Sequence, residues 1–450
     1  MGFSCPYCHQ VYYNQQSLDQ HLKEYLFYPC LTCAEEFSSL RQLEQHCDAV
    51  IHRSPPVDPE TRDEKLQLYL QEAFYKEKVI VTRTDRRKAR KLVQGLLGKI
   101  MEDVTEQPNG DLYSKKIQAA GSTSTQTKII VADEFDFNVV LTQKFSRFKH
   151  HEELVDYDLV KHSFIKLDKH IRMERVWDDD EYASIVIPNG YTAPKHFNNS
   201  PWSIKNLSHN HQLIPRWVQE DLYAKIQNSL QEEHYGAKIR LKCVPNGPAI
   251  TMFVNHTDVD HEISIDLSAC IETDLPVGIY GWPRSGTLRV LSTPQIKKIE
   301  EAGIILVPKH ERFWYISFSK AVTSLMQFID GADECRRTCH KILKKDFKTW
   351  QSQTGSAGLK GISTYLFKHH LFWMNESKQH MGKTYWKNRY IGDCYMDMLE
   401  SLEKKCRARN LPNYFNTKEN ILANKDINVL NKLAGYCKER RLQLLHIKMG

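Results

Sequence analysis

At 450 residues the chain has room for about two or three domains of ~150 residues each, which excludes a peptide hormone or a small disulfide scaffold. Hydrophobic residues make up 41% and charged residues 26%, an ordinary globular balance that excludes disorder over most of the length. The formal net charge of +7, from 62 Lys plus Arg against 55 Asp plus Glu, points weakly to an anionic partner. No apolar run approaches the ~18 residues of a membrane span, and the opening MGFSCPYCHQ is too polar and Cys-rich for a signal peptide. The chain is therefore expected inside the cell, in the cytoplasm and also the nucleus. Its 12 cysteines are then thiols or metal ligands rather than disulfides.

Two Cys-x2-Cys pairs, Cys5/Cys8 and Cys30/Cys33, mark residues 1–53 as a metal-dependent module. The second pair continues as Cys33-x12-His46-x5-His52, with Phe37 and Leu43 at the apolar positions of a finger mini-core. Two thiolates from a hairpin and two imidazoles from one helix face make a tetrahedral zinc site, so Cys30, Cys33, His46 and His52 are the expected structural Zn2+ ligands. The first pair repeats the design through Tyr12, Leu18 and His21, but Tyr25 and Leu26 stand where its last histidine belongs. That finger is degenerate, and holds zinc through a borrowed ligand or not at all.

Residues 54–65, rich in proline and charge, read as a linker. From Leu66 to about Val104 apolar residues recur at helical spacing, predicting one long helix or two in succession, ended by the turn Pro108-Asn109-Gly110-Asp111. Strand-like runs follow at KIIVA, FDFNVVL, SIVI, IRLKCV, ITMFV and EISIDL, and from Ser319 the pattern is helical almost to the end. The expected fold class is α/β: a mixed sheet with a long spine helix over 66–275, a helical lobe over 276–425 and a helical tail over 426–450, behind the zinc-finger module.

The densest chemistry lies in GSTSTQTKIIVADEFDFNVVL. Glu134 and Asp136 are two apart on a predicted strand, so both carboxylates leave one face and can grip the same divalent cations. Gly121-Ser122 offers backbone N–H groups and a hydroxyl to a phosphate. Asp266, in the strand-like EISIDL, supplies a third carboxylate if the two strands are neighbours. Such a set suits two-metal phosphoryl transfer, whereas Glu-x-Asp alone is common on solvated strand faces.

The flanking sequence decides between these readings. GS-x11-EFD, GPAITMFV followed by ISIDL, LVPKH, WYISFS, STYLFKHHLFW and LPNYF occur in order between Leu66 and Leu422. In this the chain resembles cyclic GMP-AMP synthase and the cGAS-like receptors, the male-abnormal (Mab) nucleotidyltransferase family. The resemblance implies a nucleotidyltransferase core and an activity that joins ATP and GTP into a cGAMP-like cyclic dinucleotide for innate immune signalling. It makes Glu134, Asp136 and Asp266 the Mg2+ (or Mn2+) triad and Gly121 with Ser122 the holder of the donor triphosphate. Tyr365 falls where the family stacks a base, with Ser363 and Thr364 at phosphate, and Lys344 aligns with a phosphate-reaching lysine. A core tyrosine and a solvated lysine are the plain alternatives for those two. Tyr315 replaces a base-reading arginine of the family, which leaves the base preference open. The family's zinc-binding thumb is absent, and Cys335, Cys339 and His340 remain as a metal set lacking a fourth ligand.

In RTDRRKARK, Arg83, Arg86, Arg87, Arg90 and Lys91 form a basic tract opposed locally only by Asp85. Helical spacing lines several of them up for a row of phosphates, and a solvated face is the alternative. The resemblance implies double-stranded nucleic acid as activator and a ligand-induced dimer. With the DNA-engaging thumb missing, RNA is favoured over DNA. Arg336, Arg337, Lys341, Lys344, Lys345 and Lys348 would extend the surface. Two other functions compete: a catalytically silent scaffold of the same fold, and a DNA binder led by its fingers, for which one good finger makes too small an interface.

Overall fold

The computed structural model of the chain describes residues 3–4, 11–12, 28–29, 36–37, 66, 69–70, 83–121, 134–141, 164–166, 172–176, 179–190, 201–205, 209–230, 238–243, 249–257, 261–273, 275, 282–331, 333–354, 362–382 and 384–449. The chain divides into two compact units, Met1–Glu64 and Lys65–Gly450. In the first unit Phe3–Ser4 pairs with Val11–Tyr12, and Tyr28–Pro29 with Glu36–Phe37, each antiparallel. The expected zinc ligands Cys30, Cys33, His46 and His52 lie outside the described residues.

The second unit begins with helical Leu66, Tyr69 and Leu70, of which Leu66 and Leu70 are buried. The long helix α1 spans Arg83–Glu106. Its Ala89, Val93, Leu96, Leu97, Ile100, Met101 and Val104 are buried at the 3.6-residue period, while Arg90 and Lys91 are exposed. The expected turn ends it. Asn109 takes the left-handed conformation at φ 59°, and Gly110 N–H donates to Gln107 O at 2.7 Å. A Cβ on Gly110 would lie 2.0 Å from Val104 O, so only glycine passes here.

The strands are β1 (Tyr113–Ala119), β2 (Glu134–Leu141), β3 (Phe164–Lys166), β4 (Arg172–Val176), β5 (Asp179–Pro188), β6 (Ser203–Ile204) and β7 (His209–Leu213). Helix α2 (Pro215–Ser229) follows, then β8 (Lys238–Cys243), β9 (Ile250–Asn255) and β10 (Ile263–Thr273). Helices α3 (Ser285–Val290) and α4 (Thr293–Ala302) lead to β11 (Ile304–Val307) and β12 (Trp314–Ser317). One mixed sheet joins all twelve, with β6-β7-β5-β12-β11-β10-β9-β8 as its longest path. β2 pairs parallel with β10 and antiparallel with β1. Strand alternation sorts the faces. Phe135, Phe137, Val139 and Leu141 of β2, with Ile263, Ile265, Leu267 and Ala269 of β10, enter the main core, which leaves the intervening positions on the opposite face.

The C-terminal region is helical: α5 (Ser319–Phe328), α6 (Arg336–Thr354), α7 (Tyr365–Ser377), α8 (Ile391–Arg407) and α9 (Ile427–Met449). Asp346 Oδ2 ties three of these together, accepting from Tyr395 Oη at 2.9 Å and Arg440 Nε at 2.7 Å. No helix among the described residues is long and apolar enough to cross a membrane.

The helical lobe contains histidines that burial keeps neutral. His370 is fully buried with neither ring nitrogen hydrogen-bonded among the described residues, and burial pushes its pKa down to about 3, with Lys405 adding to the effect. Between about pH 6.5 and 3 the unfolded chain binds a proton there that the folded chain refuses, so acid favours unfolding. The full gap is worth on the order of 5 kcal/mol. His370→Leu is therefore expected to flatten the loss of stability between pH 6.5 and 4, read from urea midpoints. An unchanged pH profile would show that the histidine finds water or a partner.

Candidate active site

The pairing register builds this site. In the parallel β2–β10 ladder Asp136 is the direct partner of Asp266, and Ser264 that of Glu134. Adjacent strands are about 4.8 Å apart, so the two aspartates rise side by side from the face turned away from the main core. On the other edge of β10, Thr251 of β9 is opposite Asp266, and its hydroxyl donates to Asp266 Oδ1 at 2.6 Å. That bond orients the carboxylate and takes up one of its oxygens.

Gly121 closes in from the other side. Ala120 N–H donates to Asp136 O at 2.8 Å, and Gly121 then turns at φ 62°. A Cβ on it would lie 1.8 Å from Asp136 Oδ2, so the main chain passes where only glycine fits, within reach of whatever Asp136 holds. Ser122 lies outside the described residues.

Glu134 is two residues along the same face, exposed, with Oε2 at 3.6 Å from Lys348 Nζ of α6. Among the described residues no group of three His, Cys, Asp or Glu side chains converges so as to hold a metal ion, Glu134, Asp136 and Asp266 included. What β2 and β10 provide is a side-by-side pair of carboxylates, hard oxygen donors of the kind Mg2+ or Mn2+ takes, with Glu134 two residues along the same face.

Lys348 stands beside Glu134 and Lys368 beside Asp136. Lys344 is 4% exposed, one helical turn before Lys348, which rules out the solvated alternative. Lys368 of α7 is not evident from sequence spacing. It is buried and faces Asp136; burial lowers its pKa to about 8, and the aspartate's charge opposes the shift. Tyr365 is half-buried one turn before Lys368, its ring 4.3 Å from His369, with Ser363 exposed and Thr364 half-buried just ahead. Lys368 thus stands beside Asp136, with Lys344 sharing its neighbour His340 and Tyr365 one helical turn away on α7.

Other basic residues are committed elsewhere. Arg336 pairs with Glu334 at 2.6 Å, and Arg337 donates to Met326 O and Gln327 O, so both serve the start of α6 rather than an open phosphate track. Arg90 and Lys91 remain exposed on α1, whereas the side chains of Arg83, Arg86 and Arg87 lie outside the description. The thiols of Cys335 and Cys339 neighbour Cys394, while His340 belongs with Lys344 and Lys368, so the suggested Cys335–Cys339–His340 set is not brought together.

Comparison with known proteins places this geometry. Residues 123–327 match the Mab-21 protein nucleotidyltransferase domain, and residues 335–439 the Mab-21 protein HhH/H2TH-like domain. Both domains are Mab-21 domains. The Mab-21 nucleotidyltransferase domain here holds β2, β10 and their aspartates, and its C-terminal partner holds Lys344, Tyr365 and Lys368. Protein mab-21-like 3 of Danio rerio is 27% identical over 154 residues, 34% of this chain and 38% of that relative. Protein mab-21-like 3 of Xenopus laevis is 22% identical over 142 residues, 31% and 36% of the two chains. The matched stretch spans under two fifths of either relative's length.

Proposed function

We propose that this Mab-21 chain is a nucleotidyltransferase that joins two nucleoside triphosphates into a cyclic dinucleotide second messenger for innate immune signalling, with double-stranded nucleic acid as its activator. The observation that carries the reading is the register that sets Asp136 beside Asp266 against Gly121. Glu134, Asp136 and Asp266 would hold Mg2+, which when bound lowers the pKa of the acceptor hydroxyl and screens the phosphate charge. The chain's own groups do the rest. Thr251 fixes Asp266 so that its other oxygen takes the proton of the acceptor hydroxyl. The acceptor's deprotonated oxygen forms a bond to the α-phosphorus of the donor, the bond from that phosphorus to the α–β bridging oxygen breaks, and pyrophosphate leaves; a second transfer of the same kind closes the ring. Lys344 and Lys368 bind the triphosphate, Gly121 with Ser122 cradles its end, and Tyr365 supports the base. Ser363 and Thr364 add hydroxyls at its N-terminal side. In the N-terminal module Cys30, Cys33, His46 and His52 hold a structural zinc.

One observation favours the scaffold reading, in which the site binds nucleotide without turnover: Lys348 already offers Glu134 a cation. Incubating the protein with four labelled nucleoside triphosphates and magnesium, with duplex RNA, duplex DNA or neither, separates the two. A new nuclease-resistant product identified by mass is expected with duplex RNA. Reversing Arg86, Arg87 and Arg90 to Glu is expected to abolish the RNA response, because three repulsive charges replace three attractive ones, and to make residual binding less salt-dependent. No product under any condition would leave the scaffold; an unchanged response in the reversed variant would make the basic tract a solvated face.

A further inference from the structure

Resting on the nucleotidyltransferase reading, we propose that Glu419 is the base-reading residue of this site and that it selects a base with N–H donors on its Watson–Crick edge, guanine in place of adenine. Glu419 is 6% exposed, in the segment after α8. Its Oε1 accepts from Tyr315 Oη at 3.0 Å and its Oε2 from Asn413 Nδ2 at 2.6 Å. Among the described residues no cation lies within ion-pair distance of it; Lys309, whose charge acts on it from farther off, has its Nζ 3.9 Å from the centre of the Tyr315 ring.

A buried carboxylate without an ion pair is costly, and a glutamine could not accept at both oxygens. Two donated bonds also fill only about half of the roughly four lone-pair directions a carboxylate offers. What remains is acceptor capacity within an aromatic wall. Tyr182 meets Tyr315 edge-on at 5.7 Å, and Tyr365 lies close enough to couple electrostatically to Glu419, with Asn413 at its hydroxyl. Burial and Glu181 push the Glu419 carboxyl up to about 7, against the bonds from Asn413 and Tyr315 and the charge of Lys309; N–H donors from a bound base would favour its charged, acceptor-only form.

Tyr365 ties this wall to the reacting centre, because it is one helical turn from Lys368, which faces Asp136. A nucleotide with its phosphates at the aspartates would bring its base to Tyr365 and its polar edge to Glu419. Guanine offers N1–H and the 2-amino group to an acceptor-only edge. Adenine turns its N1 lone pair toward the same oxygens, leaving both sides unsatisfied.

The test is equilibrium binding of magnesium complexes of α,β-methylene analogues of GTP, ATP and ITP to the full-length wild type and to Glu419→Gln, with thermal melting to check the fold. The wild type is expected to bind the GTP analogue at least tenfold more tightly than the ATP analogue. It should bind the ITP analogue, which lacks only the 2-amino group, about tenfold more weakly than the GTP analogue. Glu419→Gln should bring GTP and ATP analogues to within about threefold of each other. The ITP comparison needs no variant and stands even if Glu419→Gln fails to fold. An ATP analogue bound as tightly as GTP, or ITP bound like GTP, would overturn the assignment and leave the nucleotidyltransferase reading in place. Binding of none of the three would remove both.

Discussion

Replacing Asp136 and Asp266 together by Asn is expected to lower nucleotide transfer about a thousandfold or more while leaving the protein folded. Both side chains stand on the sheet face opposite the main core, and neither supports it. Asn keeps their size and loses the charge that a divalent cation and a proton acceptor require. The ladder that carries them, Ser264–Cys270 against Glu134–Val140, is held by backbone hydrogen bonds that the change does not touch. A companion substitution tests position separately from charge. Gly121→Ala would put a methyl group 1.8 Å from Asp136 Oδ2 at φ 62°, so the carboxylate or the main chain must move, with an expected loss of roughly a hundredfold. Initial rates of labelled product formation and the circular dichroism of each variant measure these effects. Turnover by the double variant within tenfold of wild type would remove the aspartate pair from the chemistry.

Glu376→Ala is expected to destabilise the second unit by about 3–5 kcal/mol, the usual cost of leaving one member of a buried ion pair behind. Its side chain is 8% exposed and Arg284's 19%, so solvent does little to screen the pair. Arg284 Nη2 and Nε reach Glu376 Oε1 and Oε2 at 3.1 and 3.3 Å. Thr287 Oγ1 and Tyr414 Oη also donate to Oε1, at 2.9 and 2.5 Å. The guanidinium is 4.0 Å from the Trp373 ring and 4.3 Å from that of Tyr414, and it donates to Tyr414 O at 2.7 Å. One carboxylate thus joins the chain at α3 to α7 and to the segment that leads to Glu419. Gly286 is part of the same fit, since a Cβ there would come 2.6 Å from Glu376 Oε2. Urea denaturation of Glu376→Ala and Glu376→Gln gives the measurement, the amide being expected to recover part of the loss. A change below 1 kcal/mol in Glu376→Ala would mean that the aromatic stacking, not the ion pair, secures this junction.

Local periodicity was enough for several elements. The apolar residues of α1 repeat every 3.6 positions from Ala89 to Val104, and Pro108-Asn109-Gly110 has the turn chemistry that stops them. Alternation in EFDFNVVL and ISIDL identified β2 and β10 and put Glu134 with Asp136 on one face, because side chains leave a strand with a period of two. The short strands β11 and β12 have no comparable signature: Ile304–Val307 is four buried residues with no polar face to break the run.

The site itself depended on partners that spacing does not encode. That Asp136 is beside Asp266, and not one residue out of step on the other face, is a property of strand register, set by which apolar residues enter the core together. Lys344 reads from sequence as phosphate-binding or solvated, and only its burial against the lobe separates the two. Tyr315 and Glu419 are 104 residues apart and meet because β12 and the segment after α8 close on the same side of Tyr365. Sequence by itself determined the elements, the carboxylate types and their faces, since these follow from sterics within a few residues. The tertiary structure alone decided which charges share a dielectric environment, because burial and pairing arise only when distant segments pack.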